Sequence, residues 1–496
     1  MKFYKISQNS HFVGRQYEQE RLNHIYSTSQ EAKLLIFYGR RRVGKTELIE
    51  QYFRKKKIWK FEGIQIQDDD RRSDNEIKQF QIQMIFRQLA HYLNNKVLEK
   101  IRAESWTEFF EQIDMIARKK EIVLYFEEVQ WMTNYKNDFF AELKPFWDSH
   151  WRKNKGLTIV FCGSSTSFFV ENLLFDQALY SRDQEEFHVR ELNLSECAEF
   201  LKSKGKKEVL QAYLILGGIP AYLKRISNKG TVLLNICANS FTKDSFYSKE
   251  YDKIFVSRMS SYKYYKKILE FLSQNKVATA FEIYKSVTKV KSKKISGKFV
   301  EVLKDLADCG FIRSYAPLNK SKDSKLLLFR IADEYLHFYY KFINPLKDKI
   351  DNGFYNSNPL LAINRNSFDK AMGIAFERWC LKNAQIIAKI LQIDRLNYRS
   401  GSFFNRKSFE SKKGFQIDLM FIVEDIKLIF CEIKYYQDLV GSKVISEMDQ
   451  KINFFLQDNP KYKNATIEKI LITTEGVSEK NKTQFDSVIT LQDLFS

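Results

Sequence analysis

Proline and glycine are scarce in this chain, at 6 and 18 of 496 residues, and the sequence holds no low-complexity tract and no internal repeat. Its six cysteines, at 162, 197, 237, 309, 380 and 431, form no CxxC pair, and its six histidines fall in no zinc-like spacing. A structural zinc site is excluded on that ground, and a reduced, intracellular protein is expected. Long uncharged apolar runs are missing too. The most apolar stretch, around 326–343, is interrupted by Arg330, Asp333, Glu334 and Lys341, whereas a membrane span needs roughly 20 predominantly apolar residues. The opening segment MKFYKISQNSHFVGR lacks the apolar core of a signal peptide. The expectation is a cytoplasmic protein with no membrane partner.

What is present is material for packed cores, with 44% hydrophobic and 15% aromatic residues. A single hydrophobic core stops growing below this chain length, so two to four domains are expected. The formal charge of +20 would suit a polyanionic partner, DNA above all. The same charge is equally what a Lys-rich composition without a binding surface would give.

Residues 31–165 alternate short apolar runs with helix-like stretches, the pattern of an α/β fold with a parallel sheet and crossover helices. Strands are expected at Lys33–Tyr38, Lys57–Glu62, Ile122–Phe126 and Leu157–Cys162, and a helix at Glu76–Leu93. Farther on, Tyr264–Ser273, Ala280–Ser286 and Ser296–Cys309 read as three helices, followed by strands at Gly310–Tyr315 and Lys325–Arg330. Three helices and a hairpin make a winged helix. Its basic run, Lys289, Lys291, Lys293, Lys294 and Lys298, is either a phosphate contact or a solvated loop. A third region has a helix expected at Ser367–Leu391 and strands at Phe415–Val423 and Lys427–Ile433.

The sharpest local pattern is Gly39-Arg40-Arg41-Arg42-Val43-Gly44-Lys45-Thr46, which follows the apolar run Leu34–Tyr38 and opens the expected helix Thr46–Arg54. That strand, loop and helix order is what a phosphate-binding P-loop requires. Its glycines let backbone N–H groups turn toward phosphate at a helix N-terminus. Lys45 is expected to reach the β- and γ-phosphates of ATP, and Thr46 to ligate Mg²⁺. Glu127 and Glu128 stand at the end of the run Ile122–Phe126. Glu127 is expected to hold the magnesium, and Glu128 to orient or deprotonate the attacking water.

With these residues in view, the chain resembles the prokaryotic, archaeal-type P-loop ATPases in which an AAA+-like domain precedes a winged helix and a restriction-endonuclease-like domain. Phe12-Val13-Gly14-Arg15 with Glu18 and Leu22 resembles the family's N-terminal box, and Glu127-Glu128-Val129-Gln130 its second acidic motif. Cys162-Gly163-Ser164-Ser165 is similar to its sensor strand, Leu179-Tyr180-Ser181-Arg182 to its arginine element, and Gly217-Gly218-Ile219-Pro220-Ala221-Tyr222 to the motif of its helical lid. The resemblance implies nucleotide contact at Ser164 and a γ-phosphate role for Arg182. Two positions depart from the family: Glu127 stands where Asp is usual, and Ser181 where Gly is usual.

In the third region Glu432 and Lys434 are two apart on an expected strand and so share a face, and Asp418 stands on the strand before it. With Glu377 on the preceding helix, this set resembles the PD-(D/E)xK nuclease core: Asp418 and Glu432 as metal ligands, Lys434 and Glu377 completing the catalytic group.

The expected architecture is an ATPase core at 1–190, a helical lid at 191–257, a winged helix at 258–345 and a nuclease-like α/β domain at 346–496. The expected function is ATP binding and hydrolysis coupled to DNA binding and metal-dependent DNA cleavage, with homo-oligomerisation allowed. The alternative is an ATP-dependent switch of the signal-transduction ATPase type, whose C-terminal unit is a non-catalytic interaction module. A replication-initiator-like DNA-binding ATPase would share the first parts without the acidic quartet.

Overall fold

The computed structural model describes residues 12–67, 69–117, 121–134, 136, 138–164, 166–169, 184–254, 259–275, 277–290, 294–315, 318, 327–405, 414–435 and 439–495. Five parallel strands make the first sheet: β1 (Lys33–Tyr38), β2 (Ile58–Glu62), β3 (Ile122–Glu127), β4 (Leu157–Gly163) and β5 (Gln184–His188). Their order is β2-β3-β4-β1-β5. A parallel strand covered by helices on both faces must be apolar at every position, and β1, β3 and β4 are buried throughout. Alternate residues then serve opposite cores. Leu35, Phe37, Val123, Tyr125 and Val160 face one, while Leu34, Ile36, Leu124, Phe126 and Ile159 face the other.

Because all five strands run the same way, the loops after β1, β3 and β4 emerge on one edge of the sheet, the edge where α/β proteins bind ligands. The second core is unusually aromatic: Trp106, Phe110 and Phe139 meet edge to face at its centre. The helix Asp74–Leu93 lies over it, opened by a capping box in which Ser73 and Glu76 satisfy each other's backbone N–H groups.

After β5 the chain turns helical. The helix Lys206–Leu216 is buried along its last five residues and ends at Gly217, with φ of 67°. Gly218 follows because the backbone of Leu192 leaves it no room: its carbonyl accepts from Leu192 N at 2.7 Å, and a Cβ there would sit 1.8 Å from Leu192 O. Gly218→Ala is therefore expected to cost about 1–3 kcal/mol of stability through overpacking. Thermal denaturation would read it as a lower Tm; an unchanged Tm would mean that the 192 loop simply gives way.

Next come helices Met259–Gln274, Ala280–Thr288 and Gly297–Asp308, and an antiparallel sheet ordered β6-β8-β7 from β6 (Ala278–Thr279), β7 (Ile312–Tyr315) and β8 (Leu328–Ile331). The last unit is a mixed sheet, β13-β12-β11-β10-β9, built from β9 (Tyr398–Asn405), β10 (Phe415–Val423), β11 (Lys427–Lys434), β12 (Thr466–Thr473) and β13 (Ser487–Ile489). The first three strands pair antiparallel and the last three parallel, with helix Ser442–Asp458 crossing between β11 and β12. The expected single helix 367–391 is two, Arg365–Lys382 and Ala384–Ile390. Asn383 ends the first by turning both its backbone N–H and its side-chain amide back onto Trp379 O, at 2.9 Å each.

These units do not stand apart. One apolar core runs from Leu35 and Phe37 through Leu214 and Leu216 to Phe376, Trp379 and Ile433. Ser195 also donates to the carbonyl of Phe495, and Lys207 pairs with Glu475 at 2.6 Å, so the chain's end closes against the helices after β5. Among the described residues no helix is long and apolar enough to cross a membrane.

Candidate nucleotide site and a second acidic cluster

Directly after β1 the backbone enters the region that favours glycine, with φ of 142° at Gly39, 71° at Arg42 and 92° at Gly44, and helix Lys45–Phe53 starts at the next residue. Gly39 has a steric reason as well: a Cβ there would lie 2.3 Å from Val189 O. The loop so formed points backbone N–H groups and a helix N-terminus into one space. Lys45 Nζ lies across it, 2.9 Å from both Gly39 O and Arg40 O. Burial lowers the pKa of this ammonium, the mark of a cation that has given up water and gains from an anionic partner.

Thr46 Oγ1 donates to Glu127 Oε1, so the two expected magnesium ligands are adjacent. The other oxygen of Glu127 takes Lys60 Nζ at 2.6 Å, and Lys60 also reaches Glu50 at 2.9 Å. Burial works against the Lys60 charge, but Glu127 and Glu50 outweigh it and its pKa ends above the ordinary value. Lys60 thus supplies the positive charge beside Glu127, and nothing in the local sequence around it singled it out.

Glu128 has φ of 51°, a strained setting for a side chain other than glycine's. That turn swings its carboxylate onto the end of β4, where Oε2 accepts from Ser164 Oγ at 3.0 Å, from Ser164 N at 3.3 Å and from Gln130 Nε2. Ser164 therefore meets the site through Glu128. Arg182 lies outside the described residues, as does the whole segment Leu179–Arg182.

The three arginines of the loop leave in three directions. Arg40 pairs with Asp333, which is 2% exposed and caps helix Glu334–Phe338. Arg41 lies over the Trp131 ring at 5.3 Å. Arg42 pairs at 2.6 Å with Glu250, a fully buried acid on helix Phe246–Lys253. Glu250 also accepts from Tyr222 of the Gly217–Tyr222 motif, at 3.0 Å. Both acids lie more than two hundred residues from the loop, so no local pattern could have revealed them.

A cleft of about 740 Å³ opens over this loop, within the range of small-molecule sites, roughly 300–1,000 Å³. Arg41 to Glu47, Glu127 and Glu128 line it together with Phe12 and Val13 from the N-terminal segment and Pro220, Ala221 and Lys224 from the helical part. Arg15 ties the N-terminal segment to the loop by donating to Val43 O at 2.6 Å. The N-terminal box, the loop and the Gly217–Tyr222 motif thus converge on one space.

In the C-terminal sheet the register of β10 against β9 shifts between Ile417 and Met420, a bulge that re-aims Asp418. Asp418 Oδ2 then accepts from Ile433 N at 3.3 Å, beside Glu432. Glu432 is 2% exposed, with Lys434 at 2.7 Å on one oxygen and Lys451, from helix Ser442–Asp458, at 3.0 and 2.7 Å. Lys451 is a member that sequence spacing missed. Glu377, Asp418, Glu432 and Lys434 do come together, since each enters the electrostatics of Glu377. Among the described residues, however, no three His, Cys, Asp or Glu side chains form a ready-made metal cage.

The carboxyl of Glu377 is pushed up to about 7, first by burial and then by Asp418, against the pull of Lys434. A raised folded-state pKa means the folded chain prefers the protonated acid. Its contribution is whole below 4.5, the ordinary value, and is lost as pH rises toward about 7. Glu377→Gln should remove that loss and, with the site partly open to screening solvent, gain about 1–2 kcal/mol over wild type between pH 5 and 8. Thermal melts across that range test it; parallel curves for the two proteins would contradict it.

The chain is 24% identical over 462 residues to the Methanocaldococcus jannaschii protein MJECL04, covering 91% of this chain and 94% of that one. Among solved structures it is similar to the Walker-type ATPase Paby2304 of Pyrococcus abyssi (TM-score 0.47, 16% identity, 68% of this chain and 98% of that one). It is also similar to the ORC2 protein of Aeropyrum pernix (TM-score 0.42, 13% identity, 71% and 97%). Residues 12–226 match the family described as an ATPase domain predominantly from Archaea. That match spans the loop, Glu127, Glu128 and the Gly217–Tyr222 motif, so residues 12–226 are similar to an archaeal-type ATPase domain.

Proposed function

We propose that the chain hydrolyses ATP at the Gly39–Thr46 loop and uses the nucleotide state to govern nucleic-acid processing by the units that follow. The observation that carries this reading is the set of ion pairs from the loop itself, Arg40 to Asp333 and Arg42 to Glu250. A loop that shifts to hold phosphate moves the anchors of both elements. Lys45 neutralises the phosphates, Thr46 and Glu127 would hold Mg²⁺, and Glu128, once released from Ser164, takes the proton of the attacking water. Bound Mg²⁺ supplies charge neutralisation between the phosphates. The pairing of Thr46 with Glu127 fits that role.

Helices Met259–Gln274, Ala280–Thr288 and Gly297–Asp308 with their small sheet support a winged helix. Lys289, Lys294 and Lys298 are exposed there, while Lys291 and Lys293 fall outside the described residues. Reversing the charge of these three exposed lysines is expected to weaken DNA binding and to flatten its log–log salt dependence by about 0.9 for each phosphate no longer neutralised. Titrations at several salt concentrations decide it: an unchanged slope returns the run to solvent.

For the C-terminal unit, the closeness of Glu377, Asp418 and Glu432 supports a PD-(D/E)xK nuclease: besides burial, Asp418 and Glu432 raise the pKa of Glu377, and Glu432 raises that of Asp418, a concentration of negative charge that a cation would relieve. The second reading, a non-catalytic module moved by ATP, is favoured by Lys434 and Lys451, which together engage both oxygens of Glu432. An assay on plasmid and oligonucleotide DNA with Mg²⁺ or Mn²⁺, with and without ATP, separates them. Cleavage selects the nuclease; salt-sensitive binding without cleavage selects the switch.

A further inference from the structure

A second cavity, of about 340 Å³, shares no lining residue with the nucleotide cleft. Its walls are the end of β5, the segments 307–313 and 330–334, and helix Arg365–Lys382, so three units meet around it. Six fixed cations line it, Arg40, Arg190, Arg313, Arg330, Arg378 and Lys382, against the four acids Glu191, Asp308, Asp333 and Glu334. Arg40 closes Asp333, and Lys382 closes Glu191 at 2.6 Å and Glu334 at 3.3 Å. Arg190, Arg313, Arg330 and Arg378 have no carboxylate within ion-pairing distance among the described residues.

Arg330 and Arg378 are half-buried, and burial lowers the pKa of both. Arg378 falls to about 10 despite Glu334, with Arg330 adding to the fall. His337 beside them is kept neutral by burial and by Arg378. Arg330 lies over the Tyr315 ring at 4.8 Å and Arg378 feels Glu334 and Glu377, but neither makes an ion pair among the described residues. A half-buried charge in that state is costly, and an anion in the cavity would lower the cost.

We propose that this cavity binds a small phosphate-bearing molecule, its phosphoryl oxygens taken by Arg330 and Arg378, with the exposed Arg313 and Arg190 at the mouth. Guanidinium forks match phosphoryl oxygens bidentately. The volume sits at the low end of small-molecule sites, enough for one or two phosphoryl groups and a small scaffold. A nucleic-acid strand would need an extended groove instead. Occupancy here is coupled to the nucleotide loop, because the Arg40–Asp333 pair belongs to both. By linkage, whatever one ligand does to the affinity of the other is returned in equal measure.

The test titrates inorganic pyrophosphate, by calorimetry in magnesium-free buffer at constant ionic strength, into four full-length proteins: wild type, Lys45→Ala, Arg330→Met with Arg378→Met, and the triple variant. Wild type should show two sites, Lys45→Ala should keep the cavity site, and the double variant should keep the loop site. The triple variant should lose binding at least tenfold relative to either. Methionine keeps the aliphatic stem, so the double variant should melt no lower than wild type without anion and should gain less Tm from pyrophosphate than wild type does, its loop site alone contributing. Should that protein not fold, Arg313→Met, exposed at the mouth, is expected to weaken the cavity site in the same direction. A Lys45→Ala protein that binds no pyrophosphate would overturn the proposal. So would a double variant that binds as wild type does, or an Arg330- and Arg378-dependent site that takes a single-stranded 12-mer but not pyrophosphate.

Discussion

Lys45→Ala is expected to abolish ATP turnover and to weaken ATP binding by at least about 30-fold, whereas Glu128→Gln should bind ATP normally and lose about 10²–10⁴-fold in kcat. The two residues fail differently because they meet different atoms. The Lys45 ammonium is 7% exposed and rests on two backbone carbonyls, at 2.9 Å each. Those carbonyls are weaker partners than phosphate oxygens, so its removal deletes an interaction made with bound nucleotide and with the transition state alike. Glu128 touches no phosphate-binding N–H group; its bonds run to Ser164 and Gln130. It can serve only the attacking water, and glutamine, close in shape, keeps the fold while losing the base. Nucleotide titrations with steady-state hydrolysis rates decide the matter. Equal turnover in wild type and Glu128→Gln would remove Glu128 from the chemistry.

The elements legible in the sequence share one property: their pattern is local. β1, β3 and β4 read as strands because both faces are covered and every position is apolar, and Gly39 to Thr46 read as a loop because strand, glycines and helix follow within twenty residues. The C-terminal acids were legible as strand positions, but the bulge that turns Asp418 toward Ile433 was not, since a register shift depends on the partner strand. Lys60, Glu250, Asp333 and Lys451 were invisible for the same reason. Each is an ordinary charged residue until folding sets it against Glu127, Arg42, Arg40 or Glu432. The break at Asn383 escaped because the apolar spacing continues across it while the backbone does not.

Glu432→Gln should eliminate metal-dependent DNA cleavage while ATP hydrolysis stays within about twofold of wild type, since no interaction of the phosphate loop passes through this carboxylate. Glutamine is the substitution of choice because alanine would remove the acceptor that Lys434 and Lys451 share and leave a gap at a position only 2% exposed, which destabilises the fold. That loss of fold would imitate a loss of chemistry. Lys451→Met gives the complementary result: it frees one face of Glu432, so less Mn²⁺ should be needed for half-maximal cleavage. Lys434→Met should leave metal affinity intact or higher but slow the reaction, because an ammonium repels the cation and assists only the water or the transition-state phosphate. If wild type and Lys451→Met both leave DNA intact at every metal and nucleotide condition, then Glu432 and its two lysines are a structural ion cluster. The C-terminal sheet is in that case a module that ATP moves rather than a blade that ATP releases.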